Sequence, residues 1–351
     1  MQKTLLALAL LGTTSAVMAQ TTIYGVVDSM YSYGKSEKNS LSALGSGGNM
    51  TSRFGFRGTE NLGSGYRVEY NLESQVFVDS GAGQGTNANN QASGATTATM
   101  SFARRSTISL FGPMGELRAG RDFTSHYRNR VEVDPFGNAG VGASQAFAGS
   151  IGGVVSTRVS NMLGYYLPGN LGGAYGQAQY YMGENTSGAA NSRDGTGVSA
   201  RLGYEYGPVN ISVASGRTSY ATTATLGNIT SNNLGVRYKI GDVTLMGGLY
   251  RDTVSATKPV HAKGWIAAGQ WSPGAHQLKL ALSQYGTDAL GTPKVRKVAA
   301  GYVYNLSKRT ALYTTAAHLS NSGGAAAVLN GATAVANATS RGLDIGIRHL
   351  F

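Results

Sequence analysis

The chain is 351 residues long, with 29 Lys plus Arg against 17 Asp plus Glu, a formal net charge of +12 and no cysteine. Glycine, at 51 residues, is roughly double its ordinary share, and charged residues are only 13 % of the chain. These figures exclude a disulfide scaffold, cysteine-ligated metal sites, a collagen repeat and a disordered polyelectrolyte, and no apolar run is long enough for a membrane-spanning helix.

At the amino end, Lys3 followed by the apolar run Leu5 to Leu11 and then Val17-Met18-Ala19 has the pattern of a secretory signal. Residues 1–19 are therefore expected to be a cleaved leader, with 20–351 a single exported domain. Freedom from cysteine suits an oxidising compartment.

Beyond the leader the chain alternates. Tyr66, Val68, Tyr70 and Leu72 interleave with Arg67, Glu69, Asn71 and Glu73; Val198, Ala200, Leu202 and Tyr204 interleave with Ser199, Arg201, Gly203 and Glu205. This is the period of a strand with one apolar and one polar face. Sixteen such strands are predicted, at about 22–34, 52–60, 65–77, 103–112, 115–121, 158–167, 174–182, 197–206, 209–220, 231–240, 242–252, 263–271, 275–285, 297–306, 310–319 and 340–351. The linkers between them alternate between short turns such as Gly207-Pro208 and Ser272-Pro273-Gly274, and long polar stretches such as 78–101, 122–157, 183–196 and 320–339. A soluble sandwich has no use for that asymmetry, whereas an outer-membrane barrel has short turns on one side and long loops on the other. An even strand count returns both chain ends to the short-turn side. Tyr31, Tyr33, Tyr204, Tyr206, Trp265, Trp271, Tyr302 and Tyr304, near strand ends, would form interfacial girdles. The last strand, Arg341 to Phe351, sets Leu343, Ile345, Ile347, His349 and Phe351 on one face and ends on an aromatic, as outer-membrane barrels do. The expected fold is all-β: a sixteen-stranded antiparallel transmembrane barrel with a water-filled lumen.

Motifs for catalysis are weak. There is no G-x-S-x-G or H-E-x-x-H, and the five histidines are not at ligand spacing. Gly34-Lys35-Ser36 lacks the first glycine of a phosphate loop, and Gly195 to Ala200 leads into a strand instead of leaving one. No catalytic residue, metal or cofactor is assigned, although a barrel enzyme with a rim constellation stays an alternative. The basic excess is spread over strands, so nucleic acid is not the expected partner. Lys35, Lys38 and Lys258 are expected on an outer rim that meets lipid phosphate, including lipopolysaccharide.

Several segments resemble the general diffusion porins of Gram-negative outer membranes, most closely the betaproteobacterial branch. They are Ile23 to Asp28, Ser52 to Gly63, Arg104 to Leu110, Gly115 to Asp122 and Gly346 to Phe351. The resemblance implies a homotrimer in the outer membrane, passive passage of small hydrophilic solutes, and a third external loop, here 122–157, folded inward as a constriction. Asp134-Pro135-Phe136-Gly137 is similar to the family's Pro-Glu-Phe-Gly tip; its glutamate is out of register, so the acidic role passes to Asp134 or Glu132.

Alternation predicts the wall of that constriction. Arg53 and Arg57 lie opposite Phe54 and Phe56, Arg105 lies with Thr107 and Ser109, and Arg158 lies opposite Val159, Leu163 and Tyr165. All four point inward. Parity leaves Arg121 open, and the resemblance implies that it too is inward. The facing acids are expected to be Asp122, Glu132 and Asp134, which leaves the neck positive and selective for small anions. Few lumen-facing aromatics are expected beyond Tyr285, which disfavours the alternative of a substrate-specific channel for a sugar or organic acid.

Overall fold

The computed structural model describes residues 20–94, 100–137, 139–144 and 157–351; the expected leader lies outside them. The described strands begin with β1 (Gln20–Lys35), β2 (Ser40–Ser46), β3 (Arg53–Gly63), β4 (Tyr66–Gln75), β5 (Arg105–Gly112) and β6 (Gly115–Phe123). A short helix, α1 (Ser125–Val131), follows β6. Then come β7 (Arg158–Tyr166), β8 (Ala174–Tyr181), β9 (Gly197–Tyr206), β10 (Val209–Thr218), β11 (Asn228–Ile240) and β12 (Val243–Ser255). The chain finishes with β13 (Val260–Trp271), β14 (His276–Thr287), β15 (Lys294–Asn305), β16 (Thr310–Ser322) and β17 (Thr339–Leu350).

Each strand pairs antiparallel with its neighbours, and β17 returns to β1, with Val26 opposite Leu350 and Lys35 opposite Arg341. Gly25 and Phe351 complete the seam by exchanging backbone bonds of 3.0 and 3.1 Å. Closure leaves no open edge, which lipid requires because it cannot satisfy a bare backbone group. Both β2 and β3 pair with β1, β2 along Ser29–Lys35 and β3 along Gln20–Val26, so together they form one broken wall strand. The wall is thus the predicted sixteen-stranded barrel.

The break is a departure from the sequence reading, which left 35–51 as loop. Ser40 to Ser46 is small and polar and gives little alternation to detect. Gly47, at φ +83°, ends it. Asp28 of β1 then accepts the backbone N–H of Asn49 at 3.0 Å and of Met50 at 2.7 Å, satisfying donors that the interrupted ladder frees. Strict alternation of linker length also fails: β12 and β13 run further than predicted, so 256–259, like 36–39, is as short as the turns at the other end.

The two faces differ as expected. Leu202, Val213, Leu249, Leu280 and Ile345 are exposed on the outer face, as are Tyr31, Tyr204, Tyr206, Trp265, Trp271, Tyr302 and Tyr304. Apolar exposure this extensive belongs to a lipid-facing surface. The inner face carries Asn233, Asp252, Ser283, Lys297, Thr315 and Asp344, all buried.

Residues 124–137 and 139–144 hydrogen-bond to that polar face. Thr124 caps α1 by accepting the Tyr127 N–H. Ser125 N–H donates to Gln179 of β8 at 2.8 Å, Asn129 to Asn233 of β11 at 2.7 Å, and Arg130 pairs with Asp252 of β12. Val133 and Phe136 then join an apolar cluster with Ile266, Tyr285, Val295 and Ala299. At the far end, Val141 N–H donates to Asp344 of β17 at 2.7 Å and Lys297 of β15 to the Ala143 carbonyl at 2.8 Å. Glycines permit the close approach. A Cβ on Gly216 would sit 2.1 Å from His126 Nδ1, and one on Gly140, at φ +64°, would sit 1.9 Å from the Gly48 carbonyl oxygen.

Candidate functional site

The polar face gathers its arginines where β3 to β7 adjoin. Register puts Arg53 opposite Val26 and Gln75, and Arg57 opposite Thr22 and Asn71, with Phe54 and Phe56 on the other face. Arg105 pairs across to Glu73 and shares its face with Thr107 and Ser109. Glu73 is the hub. It lies 3.2 Å from Arg53 Nε and 2.7 Å from Arg104 Nε. Tyr24 Oη also donates to it at 3.2 Å, and Arg57 lies over the Tyr24 ring at 5.4 Å.

The backbone at 103–104 ties in the next two cations. Arg121 Nε donates to the Ala103 carbonyl at 2.7 Å, and Arg158 Nε to the Arg104 carbonyl at 2.8 Å. Arg121 also reaches Ser160 Oγ at 2.8 Å, and Arg158 stacks 4.1 Å from the Phe123 ring centroid. The route taken by Arg121 follows from a bulge between Gly120 and Asp122, with Gly120 at φ +120°. That irregularity is why simple parity could not orient it. Asp122 balances two guanidinium groups: it lies 3.5 Å from Arg105 and accepts from Arg118.

The structure therefore brings Arg53, Arg57, Arg105, Arg121, Arg158 and Asp122 into one neighbourhood. The other two acids stand elsewhere. Glu132 is held by Arg201 of β9 and lies 3.9 Å from Arg128 of its own helix. Asp134 is buried and turned into its own loop, accepting from Phe136 N–H at 2.9 Å and from Ser144 N–H at 2.7 Å. Burial pushes its carboxyl above the usual range, against the pull of those donors and of Lys297. His126, a buried residue of α1 near Arg130, is pushed down to about 3 by lost hydration and by that arginine.

Arg104, Glu73, Arg118 and Glu116, which pairs with Arg118 at 2.7 Å, were not foreseen. Arg104 sits just before β5, where the pleat does not yet dictate a face. Glu73 and Arg118 were legible, since Glu73 alternates with Leu72 and Arg118 with Leu117. The expectation of few inward aromatics also fails: Tyr24, Tyr166, Tyr175, Tyr250 and Tyr313 share the polar face with Tyr285. Several are tied to charged groups, Tyr313 and Tyr285 to Asp28 and Asp252, and Tyr166 beneath Arg118 at 4.1 Å. They do not form a bare aromatic track. Among the described residues, no group of three His, Asp or Glu side chains is placed to hold a metal ion.

Net charge decides what this wall can do. Arg53, Arg57, Arg67, Arg104, Arg105, Arg118, Arg121 and Arg158 outnumber the carboxylates Glu69, Glu73, Glu116 and Asp122 among the described residues of this wall. Guanidinium stays charged at any working pH, and a cleft with low-dielectric walls focuses its field on mobile anions.

A family model described as Gram-negative porin matches residues 4–324. Outer membrane porin protein 32 of Delftia acidovorans is 32 % identical over the full length of both chains. An outer-membrane porin protein of Bordetella pertussis is 27 % identical, again over both full lengths. Among solved structures, an anion-selective porin from Comamonas acidovorans superposes with a TM-score of 0.82 at 29 % identity, covering 95 % of this chain and all of that one.

Proposed function

The chain belongs to the Gram-negative porin family and is an outer-membrane porin, and from that premise we propose that its passive channel prefers small anions because Arg53, Arg57, Arg105, Arg121 and Arg158 line its neck. The observation that carries this reading is the excess of guanidinium groups over Glu69, Glu73, Glu116 and Asp122 on the polar face of β3 to β7. The similarity to an anion-selective porin supports it.

The segment 124–144 supplies the narrowing. Its bonds to Gln179, Asn233, Asp252 and Asp344 all end on polar-face residues, so its bulk occupies the lumen side of β8 to β17. Solutes are thereby directed toward the arginine wall opposite. Asp122 and Glu73 temper the field without cancelling it. Asp134 and Glu132 hold the narrowing segment in place, Asp134 through its own turn and Glu132 through Arg201. Three subunits associate in the membrane, and residues 1–19 direct export and are removed.

Reconstitution in planar bilayers tests this. Purified protein is expected to give discrete conductance steps, and liposomes carrying it are expected to admit a small dicarboxylate faster than a dication of equal size. Absence of conductance, or faster entry of the dication, would contradict the proposal.

A further inference from the structure

A cavity of about 300 Å³ adjoins the arginine wall at its long-loop end. Arg121 and Arg158 line it, together with Gln84 and Thr157. Tyr220, Leu226 and Ile229 also line it, and they are the edge of an apolar cluster that continues into Val254 and Ala256. Two cations and a hydrocarbon surface thus share one small space.

The loop segment that borders this cavity is tied down by side chains. Asn90, itself buried, donates to the carbonyls of Ser160 and Met182 at 3.1 Å each and accepts the Ser160 N–H at 2.7 Å. Gln91 Nε2 donates to the Asp194 carbonyl at 3.0 Å, and Tyr220 Oη to the Asn90 carbonyl at 2.6 Å. The two guanidinium groups are satisfied only in part. Arg121 uses Nε and Nη1, on the Ala103 and Asn87 carbonyls and on Ser160 Oγ. Arg158 uses only Nε, on the Arg104 carbonyl. Among the described residues no carboxylate pairs with either arginine. Arg121 Nη2 and both terminal nitrogens of Arg158 likewise have no hydrogen-bond partner there. Half-buried charges left in this state favour an anionic ligand.

We propose that this cavity binds a small organic monocarboxylate with an aromatic or branched hydrocarbon body, its carboxylate on Arg121 and Arg158 and its body against Tyr220, Leu226 and Ile229. The assignment rests on the channel reading above and gives it a substrate class. Guanidinium forks hold a planar carboxylate in two places, and an uncharged solute would leave them unmatched. The apolar lining separates such a solute from chloride or acetate, because only a solute with a hydrocarbon body gains from burial there. About 60 Å² of buried apolar surface is enough for a tenfold preference. The volume lies at the lower end for ligand pockets, which suits a single compact ring.

The test follows the fluorine NMR signal of 4-fluorobenzoate added to the purified protein in detergent, with line broadening as the measure of binding. Broadening is expected. Benzoate should reverse it at concentrations at least about tenfold below those needed of acetate, which lacks the ring, or of benzamide, which lacks the charge. Arg158→Gln should weaken binding at least about tenfold, as loss of a charged hydrogen-bond donor does. Leu226→Asn, which keeps every charge, should narrow the gap between benzoate and acetate by about threefold or more. Equal potency of acetate and benzoate would make this a plain anion site and overturn the assignment. Equal potency of benzamide would overturn it too, as would wild-type broadening in both variants. The channel reading fails by a different result, a cation preference or absent conductance in planar bilayers.

Discussion

Glu73 is the residue on which the arginine wall turns. It alone sits between Arg53 and Arg104, so Glu73→Gln removes the charge that offsets both. Unit charges 4 Å apart interact by about 1 kcal/mol even in bulk water, and screening at 0.1 M acts over about 10 Å. The chloride-over-potassium permeability ratio is therefore expected to rise by a factor of about two to five in this variant, read from reversal potentials at low salt; a fall would mean that Glu73 orders the arginines more than it neutralises them. At this scale the sequence was informative where the pleat was regular. Arg53, Arg57 and Arg105 fall on the polar face by counting alone. Counting fails at Arg121, displaced by the Gly120 bulge, and at Arg104, which precedes its strand. Nor could composition foresee that Asp134 would spend its oxygens on Ser144 and Phe136, because that depends on how the loop closes on itself.

The element proposed to set the channel's width is the segment that begins at Thr124, and its anchors are separable. Arg130 and Asp252 are both almost wholly buried, at 2 % and 3 % side-chain exposure. Arg130→Ala would leave the carboxylate unpaired, a loss of about 3–5 kcal/mol for a buried pair. It should appear as faster proteolysis within the loop and as a noisier open channel. Gly216→Ala should act similarly by pressing on the His126 ring. Acid provides a further handle. His126 is neutral in the packed loop, with its pKa at about 3 against an ordinary 6.5. Between those values the released loop binds the extra proton, so packing is complete above pH 6.5 and weakens by about 1.4 kcal/mol per pH unit below it, levelling off near 3. Asp134, with its pKa raised, acts in the opposite sense, so the assignment needs a control. Channel noise should grow between pH 6.5 and 4 in wild type, and His126→Gln should flatten that rise; identical pH profiles would contradict it. The strands around this loop could be read from alternation, except Ser40–Ser46, whose small residues lack it. The loop's path could not, because it depends on partners such as Gln179 and Asp344 far along the chain.

For the whole molecule, a closed wall with an apolar outside, a polar inside and a basic neck describes a filter that needs no energy source. Subunit association should survive detergent at room temperature and be lost on heating, visible as a shift from trimer to monomer in gels; monomers in the unheated sample would contradict it. The claim on which the account rests is that selectivity arises from the arginines of β3 to β7. Reversal potentials across a KCl gradient address it most directly, comparing wild type with Arg53→Ala plus Arg105→Ala. Wild type should prefer chloride at low ionic strength and lose much of that preference near 1 M, where the Debye length is about 3 Å; the double variant should approach the ratio of free diffusion at every concentration. A cation preference in wild type, or an unchanged chloride preference in the double variant, would show that the selectivity lies elsewhere.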